Sequence, residues 1–378
     1  MTQGSCRLCN AALPKHALLE LNGMPSAAQN LPAADDLIKD KGSDLLIFEC
    51  SQCSLVQTCK DPVPYYKEVI RASAFSKEMA NFRQKQLRNW VEKNHLAGST
   101  ILEIGAGKGE YLQLLQEAGL RACGTEFSKA AVKEIQQLGF QAYQVFPDGA
   151  GLRIKDGPFD AFATFNFMEH WPDPKNSLCD IAQILKPNAL GLVEVPNFDM
   201  ILEKNLFTEF VSDHIFYFTS KTLSLMLETS GFEVIEIKPI WHDYILSATV
   251  KKRETSNISA FEQKRLSIGL ALHQFADKYQ EGGVAIWGAG HQALAAIALL
   301  NLKDKVKYVV DSAPFKQGKF TPATHLPIVG PSELSRAPVS AVIVMAAGYS
   351  DEVVKIIQAG VHANLRIAVL RETQLELI

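Results

Sequence analysis

The fold is decided by the stretch Thr100-Ile-Leu-Glu-Ile-Gly-Ala-Gly-Lys-Gly109, which is followed by Gly124-Thr-Glu126. The apolar residues before the glycines predict a buried strand, and the glycines predict a sharp turn into a helix. An acidic residue roughly twenty positions on, at the tip of the next strand, suits hydrogen bonds to a ribose diol. The stretch therefore predicts a nucleotide-type cofactor bound beyond the ends of parallel strands.

The spacing of this turn separates two kinds of cofactor. A dinucleotide fingerprint places Gly or Ala at position 110, where this chain has Glu110. The E-x-G-x-G-x-G form that starts at Glu103 resembles motif I of the class I S-adenosylmethionine (SAM) methyltransferases, and Glu126 stands where that family has its second acid. The alternative is a strand-to-helix turn that binds nothing.

Composition limits the classes of function. The chain has 378 residues, a formal net charge of −3 and seven cysteines. The length predicts two or three domains, and the balanced charge argues against nucleic acid and membrane surfaces as partners. No apolar run approaches a spanning helix and the N-terminus lacks a leader pattern. We expect a soluble, cytoplasmic protein with a small-molecule substrate, either a monomer or a homodimer.

The first segment, residues 1–75, carries two Cys-x-x-Cys pairs. Such pairs are the sequence form of a zinc site with four thiolate ligands. Four thiolates leave no open position on the metal, so the site is expected to be structural. The predicted zinc ligands are Cys6, Cys9, Cys50 and Cys53.

The second segment, residues 76–250, alternates strands and helices. Apolar strands are predicted at 101–104, 122–126, 159–166 and 190–196. Parallel strands joined by helices form a doubly wound α/β sheet, which binds ligands beyond the carboxyl ends of its strands. Glu103, Glu126 and Asn166 all lie at that edge, which supports a cofactor site independently of any resemblance.

The third segment, residues 251–378, begins a new alternation. The pattern G-x-G-x-x-A from Gly288 to Ala293, with Asp311 at the end of the next strand, fits the dinucleotide fingerprint. The segment is predicted to be a second Rossmann-like domain. Three readings stay open: a turn that only packs, a contact with the nucleotide of a substrate, and a bound NAD.

Two acid–histidine pairs are candidates for chemistry. Asp213-His214 stands among aromatic residues that include Tyr217. A histidine near neutral pKa can remove a proton while an adjacent acid orients it. The alternative is a core histidine next to a helix start. Glu169-His170 follows the strand at 159–166, where it is expected to shape the cofactor pocket or to begin a helix.

Taken together, these motifs resemble the three-domain sugar C-methyltransferases, which act on nucleotide-linked keto-deoxysugars. Asp213-His-Ile-Phe-Tyr-Phe-Thr219 is similar to that family's E-H-x-x-Y-F-S box, and Asp311 to Gly318 to its D-x-x-x-x-K-Q-G signature. The resemblance covers essentially the whole chain. It implies a zinc-binding domain, a class I methyltransferase domain and a Rossmann-like domain that flanks the substrate cleft, an arrangement that weighs against bound NAD.

The resemblance also implies roles for individual residues. It makes His214 the general base and gives Asp213, Tyr217 and Arg71 to the catalytic site. It gives SAM binding to Glu103, Gly105, Ala106, Gly107, Gly109, Glu126, Phe127, Asn166 and His170.

The chain departs from the family in three places. The box has Asp213 in place of Glu, and Ala347-Gly348-Tyr349 stands in place of a W-N pair. A tyrosine-containing segment that enters the SAM domain is replaced around Arg71, so that the role of the tyrosine is unfilled or falls to Arg71, Tyr65 or Tyr66. All three departures lie where the family reads its substrate.

The expected activity is SAM-dependent C-methylation of a nucleotide-linked keto-deoxysugar through an enolate. Two alternatives remain at this point. One is methylation of oxygen, nitrogen or carbon in another small metabolite. The other is an NAD(P)-dependent oxidoreductase or a nucleotide-binding module built on Gly288 and Asp311.

Overall fold

The computed structural model describes residues 4–68, 76–254, 256–360, 365–372 and 374–378. Over these ranges the chain divides into two compact units, Met1–Glu254 and Thr255–Ile378. The predicted segments 1–75 and 76–250 lie together in the first unit. The predicted boundary at 250/251 falls close to the observed division at 254/255.

The first unit contains strands and helices in a mixed order. Its strands are β1 (Leu19–Met24), β2 (Ser43–Glu49), β3 (Val56–Thr58), β4 (Thr100–Ile104), β5 (Arg121–Glu126), β6 (Gln141–Gln144), β7 (Phe159–Phe165), β8 (Leu185–Pro196), β9 (Phe216–Tyr217), β10 (Phe232–Ile240) and β11 (Ile245–Lys252). Its helices are α1 (Lys77–Lys93), α2 (Glu110–Glu117), α3 (Lys129–Gln137), α4 (Pro174–Gln183), α5 (Phe198–Glu203) and α6 (Ser220–Thr229).

The larger sheet of this unit, within the described residues, has seven strands in the order β10-β11-β8-β7-β4-β5-β6. Its central strands β4 to β8 are parallel to one another. This confirms the predicted doubly wound α/β sheet. The antiparallel pair β10–β11, which the sequence analysis did not predict, closes one edge against β8. The carboxyl ends of β4, β5 and β7 meet at one edge, where a ligand is expected.

A smaller antiparallel sheet has the order β1-β2-β3-β9 in the part of the chain that the structure describes. Three of its strands come from the cysteine-bearing segment, but β9 comes from the Asp213–Thr219 box. Val56 pairs with Tyr217 and Gln57 pairs with Phe216. The candidate catalytic box is therefore fixed by backbone hydrogen bonds to the cysteine-bearing layer, although more than 150 residues separate them in the sequence, as 216 − 57 = 159.

Helix α1 is held against the larger sheet by a buried ion pair. It begins at Ser76, whose hydroxyl accepts the Met79 N–H at 3.1 Å. The guanidinium of Arg83 donates to Glu194 on β8 at 2.5 Å, and neither side chain is exposed. Gln86 donates to the other oxygen of the same carboxylate. Removing one partner of such a pair leaves a buried charge and costs about 3–5 kcal/mol.

The second unit is also α/β. Its strands are β12 (Val284–Trp287), β13 (Tyr308–Val310), β14 (Ile328–Val329), β15 (Ala341–Val344), β16 (Arg366–Leu370) and β17 (Leu375–Leu377). Its helices are α7 (Ser259–Lys278), α8 (His291–Leu299), α9 (Glu333–Arg336) and α10 (Ser350–Ala359). Across its described ranges the sheet order is β14-β13-β12-β15-β16-β17, and β17 alone is antiparallel to its neighbour.

Candidate active site

The turn after β4 has the backbone that its glycines predict. Gly105, Gly107 and Gly109 have φ angles of 74°, 60° and 90°, a region that side chains disfavour. Gly109 is the residue immediately before α2. A Cβ atom on Gly124 of β5 would lie 2.6 Å from Cβ of Ala106, so the bare backbone of β5 lets the turn pack closely. The turn therefore brings backbone N–H groups to the edge of the sheet.

The predicted ribose acid, Glu126, lies against this turn. Its carboxylate accepts the Gly107 N–H at 2.6 Å and the Phe127 N–H at 3.2 Å, and the residue is buried. Glu103 is buried at the end of β4 as well. A carboxylate held by backbone N–H groups at this edge can take the hydroxyls of a ligand as additional or replacement donors. The residues present fit the ribose of SAM.

An open cavity of about 310 Å³ is lined in part by Phe127, Phe146 and Asp148. Phe127 directly follows Glu126 in the sequence. The Nζ atom of Lys67 lies over the rings of Phe127 and Phe146, at 5.1 and 5.3 Å from their centroids. Phe127 is about half exposed. An aromatic-lined recess next to the ribose acid suits a flat heterocycle such as adenine.

The end of β7 brings further predicted residues to the same edge. Asn166 has a φ angle of 48°, and its backbone N–H donates to the Glu194 carbonyl at 2.8 Å. Its side-chain oxygen is buried, and in the described part of the chain it has no hydrogen-bond partner. A buried polar atom without a partner is rare and indicates a ligand or water contact.

Glu169, His170 and His214 form a cluster beyond β7. One ligand-type atom from each lies within 4.8 Å of the others. The imidazole rings of His170 and His214 are 5.0 Å apart at an angle of 74°. Nδ1 of His170 is 2.8 Å from the carbonyl of Asp213, and its Nε2 is 3.9 Å from Glu169. The sequence analysis assigned His170 to SAM binding and His214 to catalysis, and the structure places the two rings next to each other.

Burial sets the protonation of this cluster. It raises the pKa of Glu169 to about 8. Burial, with His170 beside it, lowers the pKa of His214 to about 3. Burial also lowers the pKa of His170, against the opposing effects of the hydrogen bond with the Asp213 carbonyl and of the charge on the Asp213 carboxylate. At neutral pH the cluster therefore holds two neutral imidazoles beside a carboxyl group that retains its proton, and burial makes each imidazole a weaker base than a free histidine.

Asp213 faces away from this cluster. Its carboxylate accepts the Ala28 N–H at 2.6 Å and the hydroxyl of Tyr65 at 2.7 Å, and the residue is buried. The adjacent Ser212 hydroxyl donates to the Pro25 carbonyl at 2.7 Å. Asp213 therefore does not orient His214 through its side chain as predicted, because its two carboxylate oxygens accept hydrogen bonds from the Ala28 N–H and from the Tyr65 hydroxyl. Tyr65, one of three candidates for the missing tyrosine, is the one that meets Asp213.

Tyr217 supports the loop before β9. Its hydroxyl donates to the Val211 carbonyl and accepts the Val211 N–H, each at 3.2 Å. Burial raises the pKa of this hydroxyl. These two bonds give Tyr217 a structural role that the sequence analysis missed, and they leave it no free proton to donate to a substrate. Arg71, the other predicted catalytic residue, lies outside the described residues.

The four predicted cysteine ligands converge, although Cys9 and Cys50 are 41 residues apart. Their sulfurs lie within 4.8 Å of one another, and the Cys6–Cys53 and Cys9–Cys50 pairs are each at 3.5 Å. All are free cysteines. The Gln57 amide donates to the sulfur of Cys6 at 3.2 Å, so a side chain outside the quartet also contacts one of its sulfurs.

The acid of the second glycine turn is already engaged. Asp311 accepts the Ala289 N–H at 2.8 Å and the Ala313 N–H at 2.9 Å, and Lys316 lies 2.9 Å from it. Gly288 has a φ angle of 119°. A Cβ atom there would lie 2.5 Å from the Met345 carbonyl, so packing alone requires glycine. This turn is accounted for by internal contacts.

Comparisons with known proteins agree with this geometry. The family described as "Methyltransferase domain" matches residues 79–237, and the family described as "C-methyltransferase C-terminal domain" matches residues 248–369. The chain is 22% identical to the C-methyltransferase NovU of Streptomyces niveus over 68% of each chain. It is 25% identical to a probable SAM-dependent methyltransferase of Mycolicibacterium smegmatis, over 49% of this chain and 72% of that protein.

Among solved structures, a SAM-dependent methyltransferase of Thermotoga maritima aligns with a TM-score of 0.37 and 18% identity. The alignment covers 46% of this chain and 91% of that one. No helix among the described residues has the length and apolar character that crossing a membrane demands.

The doubly wound sheet, its glycine turn and the two matched families define a SAM-dependent methyltransferase. The second match covers most of the C-terminal unit, so that both units of the chain are similar to parts of multi-domain C-methyltransferases.

Proposed function

We propose that this enzyme methylates a carbon atom next to the ketone of a nucleotide-linked keto-deoxysugar. The observation that carries the proposal is the pair of neutral imidazoles, His170 and His214, beyond β7, the strand next to β4 and its glycine turn. A carbon nucleophile needs a base, because the carbon must lose a proton before it can accept a methyl group. Transfer to oxygen or nitrogen can proceed from proximity alone.

In this mechanism His214 takes the proton from the carbon next to the ketone. The C–H bonding electrons move into the carbonyl, and the ketone oxygen becomes an enolate oxygen. SAM, when bound, would supply the electrophilic methyl group for the carbon nucleophile and would take the electrons of the sulfur–methyl bond as its leaving group. The glycine turn and Glu126 would hold it, with Phe127 and Asn166 beside it. Positioning of the two reactants supplies much of the rate.

Substitution of the base tests this function. His214→Ala is expected to lower methyl transfer by about 10²–10⁴-fold, since that is the usual contribution of a general base. SAM binding by calorimetry should be retained. His16→Ala is the matched control, because His16 is an exposed histidine. The assay follows labelled methyl from SAM into nucleoside-diphosphate 4-keto-deoxysugars, with the methylated atom located by NMR.

Two results would contradict the proposal. If His214→Ala turned over within a few-fold of the parent rate, His214 would not be the base. A product that carries the new methyl group on oxygen or nitrogen would show that the enzyme does not methylate carbon.

We also propose that Cys6, Cys9, Cys50 and Cys53 hold a structural zinc ion. The fit is chemical: a tetrahedral site with zinc–sulfur bonds near 2.3 Å needs sulfurs about 3.8 Å apart, and the two closest pairs are at 3.5 Å. Purified protein is expected to carry one zinc per chain, and Cys50→Ser to lose it and to unfold at lower temperature. Cys59→Ser is the control, since Cys59 is free and lies outside the cluster. Zinc-free parent protein with an unchanged melting temperature would contradict this assignment.

A further inference from the structure

Glu169 is the carboxyl group of the cluster, with an oxygen atom within 4.8 Å of a ring nitrogen of each imidazole. It is 1% exposed, and its Oε2 atom has no hydrogen-bond partner within the described residues. Its other oxygen is 3.9 Å from Nε2 of His170. Leaving a buried acceptor unsatisfied destabilises a fold, and more so when the group is charged. Such a group does not stabilise the fold, so its position beside two histidines indicates a functional role.

The neighbouring acid cannot serve the same purpose. Both carboxylate oxygens of Asp213 accept hydrogen bonds, one from the Ala28 N–H at 2.6 Å and one from the Tyr65 hydroxyl at 2.7 Å. Its backbone carbonyl makes a hydrogen bond with His170, and its carboxylate acts on the same ring through charge alone. A backbone carbonyl accepts but never donates, so Nδ1 of His170 carries the ring proton. Nε2 of the neutral ring then presents its lone pair, and this is the nitrogen nearest Glu169.

The charges around the cluster decide what Glu169 can do. His170 and His214 face it, and Tyr217 lies beside His214 with its ring centroid 6.3 Å from that of the imidazole. The hydroxyl of Tyr244 donates a hydrogen bond to Glu209, and the charge of Glu169 contributes to raising the pKa of Tyr244. With Glu169 protonated, a proton on His214 would be a buried cation without a counter-charge. With Glu169 ionised, the same proton completes a neutral ion pair.

We propose that Glu169, and not Asp213, is the positioning carboxylate of the base: it stabilises the imidazolium that forms when His214 takes the substrate's proton. The proposal rests on the proposed function. Glu169 itself touches neither the substrate nor SAM in this scheme, because it acts through the imidazoles. Proton removal is then favoured when Glu169 is ionised, so activity rises with pH through the titration of this carboxyl group.

Histidine NMR tests the proposal without any sugar substrate. Full-length, zinc-loaded protein with labelled histidine rings is titrated from pH 6 to 10, and the two rings are assigned with His170→Asn and His214→Asn. The parent is expected to show an inflection of these ring signals near pH 8, where Glu169 titrates. Glu169→Gln should lose the inflection and Glu169→Asp should keep one. Asp213→Asn, the matched control, should retain it.

Three results would overturn the proposal. One is an unchanged inflection in Glu169→Gln. The second is loss of the inflection in Asp213→Asn while the inflection persists in Glu169→Gln. The third is a second metal ion per chain that Glu169→Gln removes, which would make the cluster a metal site. SAM calorimetry and circular dichroism on each variant confirm folding. If the protein fails to methylate keto-sugars, the titration still reports on Glu169, so failure of the proposed function stays distinct.

Discussion

The turn after β4 and the turn after β12 both join a buried strand to a helix, and both face an acid at the tip of the next strand. In the first, Glu126 accepts the N–H of Gly107 at 2.6 Å. In the second, Asp311 accepts the N–H of Ala289 at 2.8 Å and also holds Lys316 at 2.9 Å.

The difference lies in what a ligand would have to displace. A ribose that approached Asp311 would compete with an ion pair and two backbone N–H groups. Glu126 likewise accepts two backbone N–H groups, from Gly107 and Phe127, and it lies in a sheet whose residues match a methyltransferase domain. A fingerprint in sequence therefore identifies a turn, whereas the ion pair between Lys316 and Asp311 is a contact that only the structure shows.

The largest expected effect is the choice between cofactors. We expect SAM to bind at least about 1,000-fold more tightly than NAD, a difference of about 4 kcal/mol, because Asp311 is already neutralised. Parallel calorimetric titrations of the full chain measure this ratio. An NAD signal that Asp311→Asn abolishes would show that the second turn is open to nucleotides after all.

A matched glycine pair tests the packing of the second turn. Gly288→Ala is expected to destabilise the protein by about 2–4 kcal/mol, because its φ angle is 119° and its Cβ would meet the Met345 carbonyl. Gly290→Ala should cost only about 0.5 kcal/mol, since nothing lies within 4 Å of the added atom. Denaturant unfolding compares the two. Equal losses would mean that the turn is not fixed by packing.

The two acids form a second matched pair. Glu126→Gln is expected to weaken SAM binding about 10- to 100-fold, since charge-assisted hydrogen bonds are worth about 1.5–3 kcal/mol. Asp311→Asn should leave SAM affinity within about twofold, because measured effects at independent sites do not couple. Calorimetry at one ionic strength provides both values. Equal weakening by the two variants would remove the distinction between the turns.

The smallest expected effect concerns Lys316. Burial would raise the pKa of Asp311, but hydrogen bonds from Lys316, Ala313 and Ala289 outweigh it and hold the pKa below its usual value. Such a group stabilises the fold above its unfolded pKa, and the stabilisation is lost as pH falls through the folded value. Lys316→Met should therefore cost about 0.5–1 kcal/mol at pH 7.

The difference between Lys316→Met and the parent should shrink below about pH 4. Unfolding measured at pH 7 and pH 3 checks the sign. A loss that stays constant over this range would mean that Lys316 acts by packing and not by charge.

Much of the architecture was predictable because its signals are local. The β4 turn, the strands β4, β5, β7 and β8 and the second Rossmann-like unit follow from apolar runs and glycine spacing, whereas the short strand β6 was not predicted. The cysteine quartet was predictable for a chemical reason, since paired thiolates on tight turns have few other uses.

The acid partner of His214 was not predictable in this way. Adjacency in sequence favoured Asp213, yet Tyr65 binds Asp213 from 148 positions away. Likewise β9 joins the cysteine-bearing sheet through a pairing that no local pattern encodes.

The sequence by itself determined the glycine turn after β4, the two Cys-x-x-Cys pairs and the two α/β units, because backbone conformation and side-chain chemistry depend on residue type and short spacing. Only the tertiary structure decided which carboxyl group lies beside the imidazoles and which of the two acids forms an ion pair with a lysine. Those outcomes depend on burial and on hydrogen bonds between distant segments, and burial of Glu169 and His214 arises only when β7 and the loop before β9 pack together.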